Sequence, residues 1–224
     1  MYGLIGPNGA GKTTIFNTIT GIYAPTSGTI KYIGEDISHK EAFQIAQLGI
    51  ARTFQNIRLF TNLSVQENVM IACHKDAEYN LMDALIRVGK FNKCESELTR
   101  KATNLLEIVG LNDKKDKIAG SLPYGHQRKL EIARAMAINP KLLLLDEPAA
   151  GMNFDESADL VNFVKDIHKR FSLTVFLIEH HMDVVMRLCD QIIVLNFGKT
   201  IAEGTPKQIK ADKIVIEAYL GGEE

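Results

Sequence analysis

The chain has 224 residues, with 26 Lys plus Arg against 27 Asp plus Glu, a formal net charge of −1, 46% hydrophobic and 24% charged residues. This is an ordinary globular composition, which excludes a disordered or collagenous chain, and the length accommodates one α/β domain with at most a smaller subdomain. Balanced charge leaves no basic field for a polyphosphate backbone, so nucleic acid is not an expected partner.

The apolar run Tyr2 to Gly6 predicts a short strand, followed by a glycine-rich loop and a helix over Lys12 to Thr20. Turn residues Pro25 to Gly28 precede a strand-like Thr29 to Ile33, which predicts a small antiparallel patch. From about Lys40 to Gly120 the pattern is helical, clearest where Leu98, Ala102, Leu105, Leu106 and Val109 recur at helical spacing before Gly110. Strand and helix then alternate: a buried strand over Leu142 to Leu145, a helix marked by Leu160, Phe163, Val164 and Ile167, a strand over Thr174 to Ile178, a short helix over Met182 to Leu188 and a strand over Gln191 to Leu195. Asn196 to Lys199 reads as a turn, and Thr205-Pro206 as the cap and first residue of a final helix. Met136 and Met186 are expected in the core, Asp113 to Lys117 in a solvated loop and Gly221 to Glu224 in a frayed tail. Cys73, Cys94 and Cys189 are odd in number and widely spaced, fitting neither a disulfide framework nor a Cys-x-x-Cys site and pointing to a reducing compartment. Apolar runs stop well short of the roughly 20 residues needed to cross a bilayer, so a membrane that matters is expected beside the chain.

Gly6-Pro-Asn-Gly-Ala-Gly11-Lys12-Thr13 matches G-x-x-x-x-G-K-[ST] in full and lies between a strand and a helix. Such a loop turns backbone N–H groups onto phosphate oxygens and adds the favourable end of a helix dipole. The expected nucleotide-binding set is Gly6, Pro7, Asn8, Gly9, Ala10, Gly11, Lys12, Thr13 and Thr14, with Lys12 on the β- and γ-phosphates and the Thr13 hydroxyl on Mg²⁺. Lys141 to Glu147 is an apolar strand ending in two acids, which places Asp146 to hold Mg²⁺ and Glu147 to polarise an attacking water. A third strand ends in Glu179-His180-His181, where a histidine can reach the γ-phosphate; a metal pair is disfavoured because adjacent residues point apart. The expected fold class is α/β: a P-loop NTPase core with a mostly parallel sheet, a small antiparallel β patch and an inserted helical subdomain. Its boundaries are set at 1–60 with 140–224 for the core and about 61–139 for the insert.

Taken together the motifs resemble the nucleotide-binding subunit of ATP-binding-cassette transporters. Arg52-Thr-Phe-Gln55 resembles the family's Q-loop, Ser121 to Arg134 its signature segment with the following helix, Ala150 to Asn153 its D-loop, and Ile178 to His180 its switch-histidine region. The resemblance implies ATP hydrolysis with Lys12, Gln55, Glu147 and His180 as catalytic residues, and Mg²⁺ held by Thr13, Gln55 and Asp146. It implies a head-to-tail dimer with a second ATPase subunit, identical or different, in which Leu122, Pro123, Tyr124, Gly125 and His126 close on nucleotide held by the other chain. Pro123 and Tyr124 replace the usual Ser and first Gly of that loop, while Gly125 is kept. Further implied are docking on integral-membrane permease subunits at the cytoplasmic face of the inner membrane and an indirect link to an extracytoplasmic solute-binding protein. Ala51 to Phe60, Leu63 to Asn68, a long helical insert between Cys73 and Thr99, the Leu-Pro-Tyr-Gly variant, Leu130 to Arg134, Asp146 to Gly151 and Ala218 to Gly221 together resemble the first of the two ATPase subunits of branched-chain amino-acid importers. Two other readings stand beside it: a soluble cassette ATPase without a transporter, and an incomplete nucleotide-binding fragment of little activity. The second arises because only five residues precede Gly6, so the strands and adenine-stacking aromatic that family members carry there have no counterpart. That predicts an N-terminally shortened chain with weak ATP affinity and poor solubility in isolation.

Overall fold

Short apolar strands that lie side by side in parallel must be covered on both faces, and the strands of this chain read that way. In the computed structural model, which describes residues 1–77, 83 and 90–220, two compact units are present: Met1–Gln55 with Lys141–Glu224, and Asn56–Pro140.

The first unit is built on a six-stranded sheet of β1 (Tyr2–Ile5), β4 (Ile50–Arg52), β5 (Leu142–Asp146), β6 (Thr174–Ile178), β7 (Gln191–Asn196) and β8 (Lys199–Gly204), in the order β4-β5-β6-β1-β7-β8. All neighbours are parallel except β7 and β8, which form an antiparallel hairpin. β1 lies between β6 and β7, with Leu4 opposite both Ile178 and Ile193. Leu4, Phe16, Ile37, Ile45, Ile50, Leu144, Ile178 and Leu195 form a buried cluster at this sheet. Its helices are α1 (Lys12–Ile19), α2 (Ala42–Gln47), α6 (Phe154–Phe171), α7 (Met182–Leu188), α8 (Pro206–Ala211) and α9 (Lys213–Leu220). Thr205 caps α8 in a capping box with Gln208, with Pro206 in the first turn. A separate hairpin pairs β2 (Lys31–Tyr32) with β3 (Glu35–Asp36).

Two expectations change here. The helical stretch predicted from Lys40 contains a strand: α2 ends at Gln47, Gly49 turns at φ 95°, and Ile50–Arg52 pairs with Leu142, Leu143 and Leu144 of β5. The strand predicted over Thr29 to Ile33 shrinks to two residues, because the Ile30 N–H is taken by Ser38 Oγ at 2.8 Å and Ile33 already turns at φ 51°.

The second unit contains α3 (Val65–Cys73), α4 (Lys90–Ile108) and α5 (Tyr124–Met136). Ser64 and Glu67 close a capping box at the start of α3, and Leu98, Ala102, Leu105 and Leu106 form the buried stripe of α4. Asn68 is fully buried, its amide bridging Phe60 and the Ser64 carbonyl. Of the long insert expected between Cys73 and Thr99, residues 78–82 and 84–89 lie outside the described residues, as does the tail 221–224. Met136 is in the core as expected, whereas Met186 is only half-buried and lines an apolar cavity of about 520 Å³.

Candidate nucleotide site

β1 ends at Ile5, and the chain leaves the sheet through Gly6 at φ 154°. A Cβ at Gly6 would stand 2.0 Å from the Leu195 carbonyl oxygen, so only glycine lets the loop pass this close to β7. A Gly6→Ala change is therefore expected to displace the loop, lowering the melting temperature and abolishing nucleotide affinity together; a thermal melt with and without ATP checks this. Gly11, at φ 99°, caps α1, whose first turn carries no acidic side chain. Lys12 is 6% exposed and folds back so that Nζ donates to the carbonyls of Gly6 at 2.7 Å and Pro7 at 3.0 Å. Burial pulls its pKa down, and the charge of Glu147 opposes that shift. Thr13 and Thr14 are exposed on the first turn. The loop is also tied to the β7–β8 turn, where the Gly198 N–H donates to the Ala10 carbonyl at 2.9 Å.

β5 and β6 end side by side and deliver the acids and histidines. Glu147 follows β5 in a left-handed conformation, φ 46°, a cost of about 1–3 kcal/mol for a residue with a Cβ. Its N–H donates to the Ile178 carbonyl at 2.9 Å, which fixes that turn against β6. The carboxylate is gripped from two sides: Gln55 Nε2 donates to one oxygen at 2.8 Å, and His180 Nε2 stands 2.7 Å from the other. The structure thus brings Gln55, Glu147 and His180 together. Asp146 sits one residue earlier, 4% exposed, with Oδ2 on Arg52 at 2.7 Å.

Arg52 and Glu179 are the residues that sequence reasoning did not single out. Arg52 spans β4 and α1, donating to Asn17 Oδ1 at 2.8 Å and Thr20 Oγ1 at 3.2 Å as well as to Asp146, with its guanidinium over Phe16 and Phe54. Glu179, 1% exposed, accepts from the backbone N–H groups of Ala149, His180 and His181 at 2.9, 2.7 and 3.0 Å. It holds the segment after Glu147 and the segment bearing His180 in one register. Its one sequence signal is position: like Glu147, it is the charged residue that follows an apolar strand.

In the second unit, Pro123 precedes α5 in an extended conformation, and the N–H groups of His126 and Gln127 donate to its carbonyl at 3.0 Å. A Cβ on Gly125 would meet nothing within 4 Å, so the start of α5 is open. Tyr124 is 41% exposed, and its hydroxyl accepts from Arg128, a fully buried cation that pairs with Glu131 at 2.7 Å. Leu122 is buried, and its carbonyl is bound by Gln127 Nε2 at 2.8 Å. Burial, reinforced by Lys114 and Lys129, pulls the pKa of His126 down.

A parallel sheet whose central strand opens into a glycine loop and a buried lysine, with a glutamate held by a glutamine and a histidine past the next strands, defines a P-loop nucleotide hydrolase. A family model described as ABC transporter matches residues 1–150, and one described as branched-chain amino acid ATP-binding cassette transporter matches residues 199–224. The chain is 45% identical over 99% of its length to the high-affinity branched-chain amino acid transport ATP-binding protein BraF of Pseudomonas aeruginosa, covering 87% of that protein. It is 44% identical, with the same coverage, to the corresponding LivG of Escherichia coli. A crystal structure of an ATP-binding cassette of an ABC transporter in its ADP conformation superposes with a TM-score of 0.84 at 33% identity, over 99% of this chain and 87% of that one. The chain belongs to the ABC transporter family, as an ATP-binding and ATP-hydrolysing cassette. None of the helices is long and apolar enough to cross a membrane among the described residues.

Proposed function

We propose that this chain powers an importer of branched-chain amino acids, pairing with a second ATPase subunit and docking on integral-membrane permease subunits at the inner face of the cell membrane. The observation that carries the reading is similarity at 44–45% identity, over nearly the whole chain, to two ATP-binding proteins of that transport class. The chain's own residues supply the chemistry. Loop N–H groups and Lys12 bind the phosphates, Lys12 exchanging the carbonyls of Gly6 and Pro7 for phosphate oxygen. Glu147 orients the attacking water and takes its proton, and His180 and Gln55 hold the Glu147 carboxylate in place. The donor set also fits Mg²⁺. The Thr13 hydroxyl and Asp146 Oδ1 make no hydrogen bond to a described residue, and both are hard oxygen donors. Thr13, Asp146 and Gln55 would hold that ion, which when bound neutralises charge developing on the phosphates. Leu122 to His126, at the start of α5, would meet nucleotide held by the other subunit, with the backbone N–H of Gly125 taking the part that a serine hydroxyl has in the usual loop. An extracytoplasmic solute-binding protein would act on the chain only through the permease.

In proteoliposomes containing the permease subunits and both ATPases, a leucine-loaded binding protein is expected to raise ATP turnover. A Lys12→Ala change is expected to remove ATP binding and turnover altogether. Stimulation by a urea- or amide-loaded binding protein but not by a leucine-, isoleucine- or valine-loaded one would overturn the solute class.

A further inference from the structure

Glu147 stands in a strained turn, and the chain that holds this turn also carries His180. At φ 46° the Glu147 backbone is left-handed, a conformation that persists in a residue with a side chain only where its surroundings impose it. Two bonds from consecutive residues past the end of β6 do so. The Ile178 carbonyl accepts from the Glu147 N–H at 2.9 Å, and Glu179 Oε1 accepts from the Ala149 N–H at 2.9 Å. The other oxygen of Glu179 accepts from the N–H groups of His180 at 2.7 Å and His181 at 3.0 Å, with His181 Nδ1 3.1 Å away. Glu179 is 1% exposed, and among the described residues the titratable side chain within ion-pair distance of it is that of His181, not a lysine or arginine. Burying a carboxylate carries a desolvation cost. What it supplies in return is acceptance at both ends: an ionised carboxylate is acceptor-only, whereas an amide or a hydroxyl turns a proton toward one of the two arms.

We propose that Glu179 is a positioning residue for ATP hydrolysis: by bridging the backbone after Glu147 to the backbone of His180, it sets the 2.7 Å approach of His180 Nε2 to the Glu147 carboxylate and the aim of that carboxylate at the attacking water. The physical basis is the steep dependence of rate on placement, since a shift of about 1 Å in a reacting group costs about 10²-fold. Glu179 acts through Glu147 and touches none of the reacting atoms. Its partners Ala149, His180 and His181 lie outside the phosphate loop, so the effect falls on the chemical step and spares ATP affinity. This inference rests on Glu147 as the base in the reaction proposed above.

The test is a Glu179→Gln substitution in the full-length chain, which keeps the volume of the side chain and turns one acceptor into a donor facing an N–H. The expected result is a fall in kcat of about 10- to 100-fold, with KM for ATP and the dissociation constant of a fluorescent ATP analogue within about twofold of wild type. The same substitution is then made in the Glu147→Gln background. There it is expected to lower the residual single-turnover rate by less than about twofold, because a residue that acts through the base has nothing left to position. Glu179→Asp keeps the charge but is one methylene too short to span both arms, and it gives the same pair of readings if Glu179→Gln is too unstable to purify. An unchanged kcat, a rise in KM as large as the fall in kcat, or an equal loss in both backgrounds would overturn the positioning role. Glu147→Gln alone distinguishes the two levels: if it turned over at the wild-type rate, the base itself would be wrongly assigned, whatever Glu179→Gln showed.

Discussion

A Glu147→Gln variant is expected to keep ATP affinity within about twofold while steady-state turnover falls by a factor of about 10² to 10⁴, the range that a positioned general base supplies. The substitution is nearly isosteric and lies at a backbone position, φ 46°, that glutamine tolerates no worse than glutamate. What it removes is an acceptor. The carboxylate accepts from Gln55 Nε2 at 2.8 Å on one oxygen and has His180 Nε2 2.7 Å from the other, whereas an amide has one oxygen and carries no charge to attract the imidazole. Neither the loop carbonyls that hold Lys12 nor the Asp146 contact to Arg52 is touched, so binding survives. Bound ATP that cannot be hydrolysed is then expected to accumulate in a closed dimer, visible as a doubling of mass in light scattering when ATP is added. A wild-type rate of phosphate release by Glu147→Gln would remove Glu147 from the role of base. His180→Ala should lose turnover too, because Glu147 would keep only the Gln55 contact.

The parts of this site that are legible in the sequence are those whose chemistry is local. The phosphate loop is contiguous, and the strands over Leu142–Asp146 and Thr174–Ile178 announce themselves because parallel strands covered on both faces are apolar throughout. Asp146, the last residue of its strand, and Glu147 and His180, just past theirs, are legible as polar residues where an apolar run stops. β4 is not, since Ile50–Arg52 has only three residues and owes its conformation to pairing with β5, nearly a hundred residues downstream. For the same reason Arg52 is invisible as a partner of Asp146, 94 residues away, until the register of β4 on β5 is known. Glu179 carries no signal that separates it from its neighbour His180, because its role, taking three backbone N–H groups to align the segments on which Glu147 and His180 stand, depends on the fold. The left-handed turn at Glu147 has no sequence signal at all, because glutamate does not favour that conformation and tertiary contacts impose it.

Replacing Arg52 by methionine is expected to destabilise the first unit by about 3–5 kcal/mol, the usual cost of leaving a buried charge without its partner. The pair is well shielded, with the Arg52 side chain 6% and the Asp146 side chain 5% exposed. Methionine fills much of the same volume against Phe16 and Phe54 but offers no donor to Asp146, Asn17 or Thr20. For a chain of this size the loss corresponds to a fall in melting temperature of about 6–20 °C. Arg52→Lys keeps the charge yet cannot reach three acceptors from one planar group, so an intermediate fall is expected. The origin of the effect is separable by a double-mutant cycle. If an unpaired Asp146 is the cause, adding Asp146→Asn to Arg52→Met should recover at least half of the lost stability, because the neutral amide no longer needs a cation. A melting temperature within about 2 °C of wild type for Arg52→Met would show that the pair contributes nothing. Recovery in the double variant would instead establish that the loss comes from leaving Asp146 without its cation, so that one ion pair ties the end of β5 to β4 at the edge of the sheet.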